Sequence, residues 1–534
     1  MPDPKAEQDC HVVKSRTTPP RLSLFVAAIA VIAFARPASF AQDPDPNPAE
    51  DPGAQVLTRG PVHEAFAEPV VFDPKSGPVI PKQPPAPVEE APPSEKPVGK
   101  NVQWIPGYWS WDDGRKDFLW VSGLWRDVPP GRHWVPGYWD QASGGFQWVP
   151  GYWAPDDQTQ AQYLPAPPAS LESGPSSPQP SPEMVWAPGN WSWQGGRYVW
   201  SPGYWVPIQS NWLWVPAHYV WTQSGYLFVP GYWDRPLPQR GVLFAPIYFQ
   251  QPLYAQPGYV YSPTVTIVAS ALMASLFVAP AYHQYYFGDY YAPAYFRSGF
   301  YPWYAFHQSR YGYDPLYAHY AVVNMRTNPR WVEDMHDRYR FLRDHPDARP
   351  AHTFVEQQTT INRTVVINNT KVQNITFARP IREVAAGNNA LKFERLDDQQ
   401  RRAIAERAVQ LHDYRQQRAA RENQVVRDRR EAVEARQVSL PRSPITAQPH
   451  PNVQGLNAQE RARAVPPARP VMPGPDPRVR ANPNATAGLR FEPHPDHLPP
   501  PASRPGASPP RAAAVERARE RQEQGRGQPN RKPQ

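Results

Sequence analysis

WIPGYW at Trp104–Trp109 returns as WVPGYW at Trp134–Trp139 and again at Trp148–Trp153. Looser copies are VSGLW ending at Trp125 and preceded by Trp120, WAPGNW at Trp186–Trp191, WSPGYW at Trp200–Trp205, WVPAHY at Trp214–Tyr219 and FVPGYW at Phe228–Trp233. The glycine slot holds Gly107, Gly123, Gly137 and Gly151, then Gly189, Gly203, Ala217 and Gly231. The steps are 16, 14 and 14, a gap, then 14, 14 and 14. Eighteen of the twenty tryptophans lie in these two blocks, so the repeat and the aromatic content are one feature.

A period of this length needs a folded unit that fits it. Segments between the motifs vary in length and carry Gly, Asp, Asn and Ser, as loops do; the part of fixed length is the strand. Pro-Gly as a type II turn would splay a two-residue hairpin. The expectation is therefore a strand of about eight residues with a bulge at Pro-Gly that needs positive φ at glycine, Gly137 for example. That bulge would bring the two tryptophans of a copy, five apart, onto one face. Each block becomes a small antiparallel meander with an aromatic ladder along one face, and the two blocks pack together. The fold class expected is mainly β in the folded part, with an aromatic module, a long C-terminal helix and extensive disorder.

The W-x-P-G-Y-W-S-W…G-R-x-[FY]-x-W pattern, seen at 104–120 and 186–200, resembles the bacterial WXXGXW (YXWGXW) repeat family of exported proteins. Departures are Leu124 in the second copy, Asn190 in the fifth and Ala217-His218-Tyr219 in the seventh. The resemblance implies export and a repeat architecture, and it carries over no catalytic residues.

Residues 1–41 read as a signal peptide. Lys14, Arg16 and Arg21 precede the apolar run Leu22–Ala35, and Ser39-Phe-Ala41 offers a cleavage site. The segment is either cleaved after Ala41 or kept as an anchor, and no transmembrane span is expected in the mature chain. The single Cys10 precedes the run, so the mature chain would have neither disulfides nor thiolate metal sites. With 73 prolines and a mean hydropathy of −0.66, much of the chain reads as unable to bury a core.

Residues 42–100 read as a Pro-rich linker, 101–154 as the first repeat block, 155–183 as a Pro/Ser linker and 184–234 as the second block. Residues 235–325 form a Tyr-rich module in which Thr264–Ala279 is a buried strand or helix. A helix is expected over 326–346, with Trp331, Met335, Tyr339 and Leu342 on one face. A β segment follows at 353–378, then a charged helix at 395–437. Pairs such as Arg418/Glu422, and apolar positions that do not sustain heptads past Tyr414, favour a solvated helix over the alternative of a coiled coil. Residues 438–534 read as a disordered basic tail; from 441 onward 15 basic residues meet seven acidic ones.

No catalytic chemistry is expected. His283 with Asp289, and His336 with Asp334 and Asp337, are the nearest approaches to an acid–base or metal site, and surface or hydrogen-bonded histidine is the simpler reading. No cofactor or nucleic-acid partner is expected. Two functions remain: an envelope scaffold, or a module that binds envelope polysaccharide, peptidoglycan or envelope proteins through exposed Trp and Tyr. Burial of the ladder separates them.

Overall fold

The computed structural model describes residues 53–446, except 210, 361–364, 368–369, 373–374, 388–389 and 428–434. The fold is mainly β, assembled from many small antiparallel sheets. Two consecutive copies of the motif make one long hairpin, and four such hairpins carry the repeats. In the first, Val102–Ile105 and Tyr108–Asp112 run out, and Asp117–Val121 and Leu124–Asp127 run back. The tip halves pair Trp109 with Trp120, and the base halves pair Trp104 with Trp125. The second hairpin (132–155) pairs Trp139 with Trp148 and Trp134 with Trp153. The third (184–207) pairs Trp191 with Trp200 and Trp186 with Trp205. The fourth (213–234) pairs Tyr219 with Phe228 and Trp214 with Trp233.

The expected bulged strand is replaced by a break in both strands. Pro-Gly interrupts the ladder between base and tip, because proline offers no N–H and glycine lets the opposite strand close in. None of the motif glycines has positive φ; the positive values belong to turn and edge glycines such as Gly144, Gly145 and Gly225. Nor is the ladder continuous along one face. In the first hairpin Trp104 and Trp125 pack with Phe244 and Leu396, whereas Trp109 and Trp120 pack with Phe249 and Ile80.

Residues 53–100 are not a free linker. They supply Ala54–Val56, paired with Ile247–Phe249, and Val79–Ile80, paired with Gly145–Val149. The 155–183 stretch likewise gives Gln160–Leu164, which lies between Gly225–Val229 and Arg436–Ser439. Short pieces flanked by proline suit sheet edges, where missing N–H groups cost little.

In the Tyr-rich module the 264–279 run is strand, helix and strand in turn (Val265–Ile267, Ala269–Ala274, Leu276–Ala279). The expected helix is Trp331–Asp344, with Met335, Tyr339 and Leu342 buried. The 353–378 segment opens with a helix, Phe354–Thr360, rather than a strand; Val365–Ile367 then pairs with Thr370–Val372. The charged helix spans Asp398–Arg427. It is not solvated all round: Leu411, Tyr414, Arg418 and Glu422 are buried. Spacings of 3, 4 and 4 place them on one face. Leu411 and Tyr414 join a core shared with Trp134, Trp153, Phe277 and Trp303. Residues 1–41, and the basic tail from 447, lie outside the described residues.

Candidate functional site

At the first three breaks two motif glycines face each other, and N–H groups released from the ladder need acceptors. A glutamate from outside the hairpin supplies one at each. In the second hairpin Glu64 accepts from Gly137 N and Gly151 N, each at 3.1 Å, and from Trp148 Nε1 at 3.2 Å. In the first, Glu90 accepts from Gly107 N at 2.8 Å, Gly123 N at 2.9 Å and Trp120 Nε1 at 3.3 Å. In the third, Glu172 accepts from Gly189 N and, at 3.1 Å, from Trp186 Nε1. The motif is thus a carboxylate cradle: in the first two hairpins both glycines and a tryptophan donate, and in the third one glycine and a tryptophan do.

Glycine is required here by close approach. A Cβ on Gly137 would lie 2.5 Å from Trp148 Cζ2 and 2.7 Å from both Glu64 Oε1 and Val149 O. On Gly151 it would meet Trp134 Cζ2 at 2.5 Å, and on Gly189 Trp200 Cζ2 at 2.6 Å. The seventh copy shows the same rule from the other side. Ala217 and Phe228 occupy the slots that Gly137 and Trp148 hold in the second hairpin, and phenylalanine lacks the outer indole ring that would meet the methyl group. Gly231 remains glycine opposite Trp214, 2.5 Å from where its Cβ would be. The two departures compensate one another.

The other side of the breaks presents carbonyls, and arginines read them. Arg418, on the long helix, donates through Nη1 to Pro136 O at 2.8 Å and Pro150 O at 3.0 Å. Its Nε holds Glu422 Oε1 at 2.8 Å, and Glu422 also accepts from Tyr138 and Tyr163 hydroxyls. Arg415 donates to Gly107 O, and Arg132 to Pro230 O and Gly231 O. Buried charges persist only with such partners. The first and fourth hairpins are joined in the same way: Arg126 holds both oxygens of Asp234 at 2.7 Å, with both residues buried.

Burial dominates the electrostatics. It raises the Glu64 carboxyl and pushes Glu90 up to about 7, against the opposing pull of the cradle N–H groups. Burial also lowers Arg415, to about 10, although Glu64 lies near. Five histidines are held neutral by burial, with pKa values lowered to about 3 for His63 and His412 and to about 4 for His218, His307 and His319.

Of the ladder residues, Trp104, Trp109, Trp120, Trp125, Trp134, Trp153 and Trp233 are buried, and Trp139 and Trp148 are half-buried. Trp214 and Phe228 are half-buried too; the third hairpin differs in that none of its tryptophans is fully buried: Trp186, Trp191, Trp193, Trp200 and Trp205 are all half-buried, with Tyr204 and Val199 exposed beside them. A strap at 165–183 crosses it, where Ala169 O accepts from Trp191 Nε1 and Ser177 Oγ from Trp205 Nε1. Cavities touching the repeats, beside Glu68 and beside Trp109, hold water-sized volumes of about 10 and 20 Å³. Such spaces suit a water or two and not a sugar ring.

The histidine groupings do not converge. His283 Nε2 pairs with Lys75 O, while Asp289 takes His352 at 2.9 Å and Arg349 at 3.9 Å. His336 stacks on Tyr304, Asp334 faces Arg330 and Asp337 faces Arg340. Among the described residues no group of three or more His, Cys, Asp or Glu is placed to hold a metal ion, and no helix is long and apolar enough to cross a membrane. The carboxylates of the cradles escape a reading of the sequence, because nothing local to Glu64, Glu90 or Glu172 marks them.

Fold and site together define a protein of tryptophan–glycine hairpins pinned by buried carboxylates. Its repeats are those of the WXXGXW repeat family, whose two-copy model matches residues 103–126, 134–154, 182–206 and 210–234, one match to each hairpin. No curated protein and no solved structure matches the chain.

Proposed function

We propose that this chain is an exported scaffold of the cell envelope, with no catalytic role, in which the repeats hold the surrounding segments in place. The observation that carries this reading is the use of the motif donors. Three cradles are filled by the chain's own glutamates, and most of the ladder is packed against other parts of the same chain. Donors and rings used internally are not offered to a ligand. The basic flank and apolar run before Ala41 support export.

The experiment is complementation of a deletion strain, scored by detergent sensitivity of the envelope, with N-terminal sequencing of the exported chain. Wild type and Trp191→Ala should both restore resistance, and Gly137→Val should not. Sequencing should begin at residue 42. Rescue by Gly137→Val would overturn the scaffold, and a mature chain that begins at Met1 would overturn cleavage after Ala41.

The half-exposed rings of the third hairpin favour a second reading, a polysaccharide- or peptidoglycan-binding face. Co-sedimentation with purified cell-wall polymer, lost in Trp191→Ala and Trp205→Ala, would support it over the first.

A further inference from the structure

Two of the hairpins take up a proline-rich segment in the same way. In the first, Ala86 O accepts from Trp109 Nε1 at 2.8 Å, and four residues on Glu90 enters the break. In the third, Ala169 O accepts from Trp191 Nε1 at 3.1 Å, and three residues on Glu172 enters the break, on Gly189 N and Trp186 Nε1. Trp109 and Trp191 hold the same place, the last residue of the leading copy in each hairpin. The segments agree in composition, PPAPVEE at 84–90 and PAPPASLE at 165–172. Chemistry accounts for the match. Proline has no N–H, so a run rich in it offers carbonyl acceptors to indole N–H donors and apolar rings to indole faces. The carboxylate then takes the donors that the Pro-Gly break releases.

The two segments are held unequally. Glu90 is buried, and so are Val88 and residues 91–94 around it. No residue of 165–183 is buried, and no strand or helix forms there. Leu171, two residues after its docking alanine as Val88 is after Ala86, is 59% exposed. Past Glu172 the strap touches the ladder through an exposed contact, Ser177 Oγ to Trp205 Nε1. The third hairpin thus keeps the receptor of the first, with an occupant that has little buried surface to hold it.

We propose that the third hairpin is a peptide-docking site whose strap is a displaceable occupant. Its ligand is an extended Pro/Ala-rich segment of a partner protein, with a glutamate three or four residues after the docking carbonyl. Such a segment is extended before it binds, so docking costs it little entropy. The site adds to the scaffold reading without resting on it, since loss of peptide binding would leave the complementation by Gly137→Val as predicted.

The probe is a fluorescein-labelled peptide, QPPAPVEEAPP, the sequence of residues 83–93. Anisotropy with the full mature chain should show it binding Glu172→Ala, whose break has lost its resident carboxylate, about tenfold more tightly than wild type. Alanine in place of the peptide's second glutamate, or Trp191→Ala added to Glu172→Ala, should each weaken binding about tenfold. A second measurement needs no variant: saturating peptide should speed chymotrypsin cleavage of wild type after Leu171 in the strap. No binding to Glu172→Ala, equal binding of the two peptides, or unchanged cleavage after Leu171 overturns the proposal. A wild-type dimer that Glu172→Ala dissociates would assign the site to the strap of a second copy and overturn the separate partner.

Discussion

Gly137→Ala adds one methyl group where the structure has no room for it. Its Cβ would lie 2.5 Å from Trp148 Cζ2 and 2.7 Å from Glu64 Oε1 and Val149 O. Overpacking of this kind costs about 1–3 kcal/mol. If the strands part to relieve it, the bond from Gly137 N to Glu64 weakens and adds about 1 kcal/mol. A total of about 2–4 kcal/mol follows. The fourth hairpin indicates the remedy, since Ala217 is accommodated with Phe228 in the slot of Trp148. Trp148→Phe removes the ring atom that the methyl group meets, at its own cost of about 1–3 kcal/mol for lost packing and a lost donor to Glu64. Together the two changes should cost less than their sum by about 1 kcal/mol or more, beyond the 0.3–0.5 kcal/mol scatter of roughly independent sites. Urea unfolding of the full mature chain, followed by far-UV circular dichroism so that the removed indole does not bias the signal, measures all four proteins. Simple additivity would refute the claim that glycine is held by the tryptophan opposite. The converse pair makes the same point: Phe228→Trp should be tolerated only with Ala217→Gly.

Glu64→Ala strands three donors at the second break, and at about 1–3 kcal/mol for each buried unsatisfied group it should lower the urea midpoint far more than Glu64→Gln, which keeps one acceptor oxygen; equal midpoints would show that water fills the cradle. Arg418→Ala leaves Glu422 buried without its cation and frees the carbonyls of Pro136 and Pro150, a loss of about 3–5 kcal/mol; limited proteolysis should then cut within 398–427 first, and an unchanged digestion pattern would detach the helix from the hairpins. For the pH dependence, a carboxyl whose folded pKa is raised stabilises the fold while protonated, so stability is lost as Glu90 ionises between 4.5 and about 7. That shift of 7 − 4.5 is worth up to about 3 kcal/mol, and Glu90→Gln should be the more stable protein at pH 8 but not at pH 4. The buried histidines act in the opposite sense: their folded values of about 3 to 4 lie below 6.5, so stability falls as pH drops below 6.5. Because the raised carboxyls pull the other way over the same window, the check is a difference: His319→Gln should lose less stability than wild type between pH 6.5 and 4.5, and parallel profiles would contradict its burial as a neutral ring.

The repeat and its small antiparallel sheets were legible because period and turn chemistry are local; the joining of two copies into one broken hairpin, with tryptophans paired between copies, was not. Trp104 and Trp109 stand five apart for a reason the sequence contains, a Pro-Gly break that neither strand can bridge with ladder bonds. What satisfies the break was not legible. Glu64 lies 73 residues before Gly137, in a stretch whose proline content reads as linker. Its donor strands are two or three residues long, too short to show alternation. Arg418 and Glu422 illustrate a second limit. Their spacing is that of a solvated i,i+4 pair, and both are fully buried. The partners that allow it, the carbonyls of Pro136 and Pro150, are backbone atoms exposed by the break and carry no side-chain signal. The ladder was expected to run unbroken along one face; the same break divides it between clusters.

The central claim, that the repeats are packed structural hairpins rather than an open binding ladder, is tested most directly by oxidative footprinting of the tryptophans in the folded mature chain, read residue by residue by mass spectrometry. Trp104, Trp120, Trp125, Trp134 and Trp153 should be protected, and Trp186, Trp191, Trp200 and Trp205 should be modified. Uniform modification across all four hairpins, suppressed by added cell-wall polysaccharide, would contradict it.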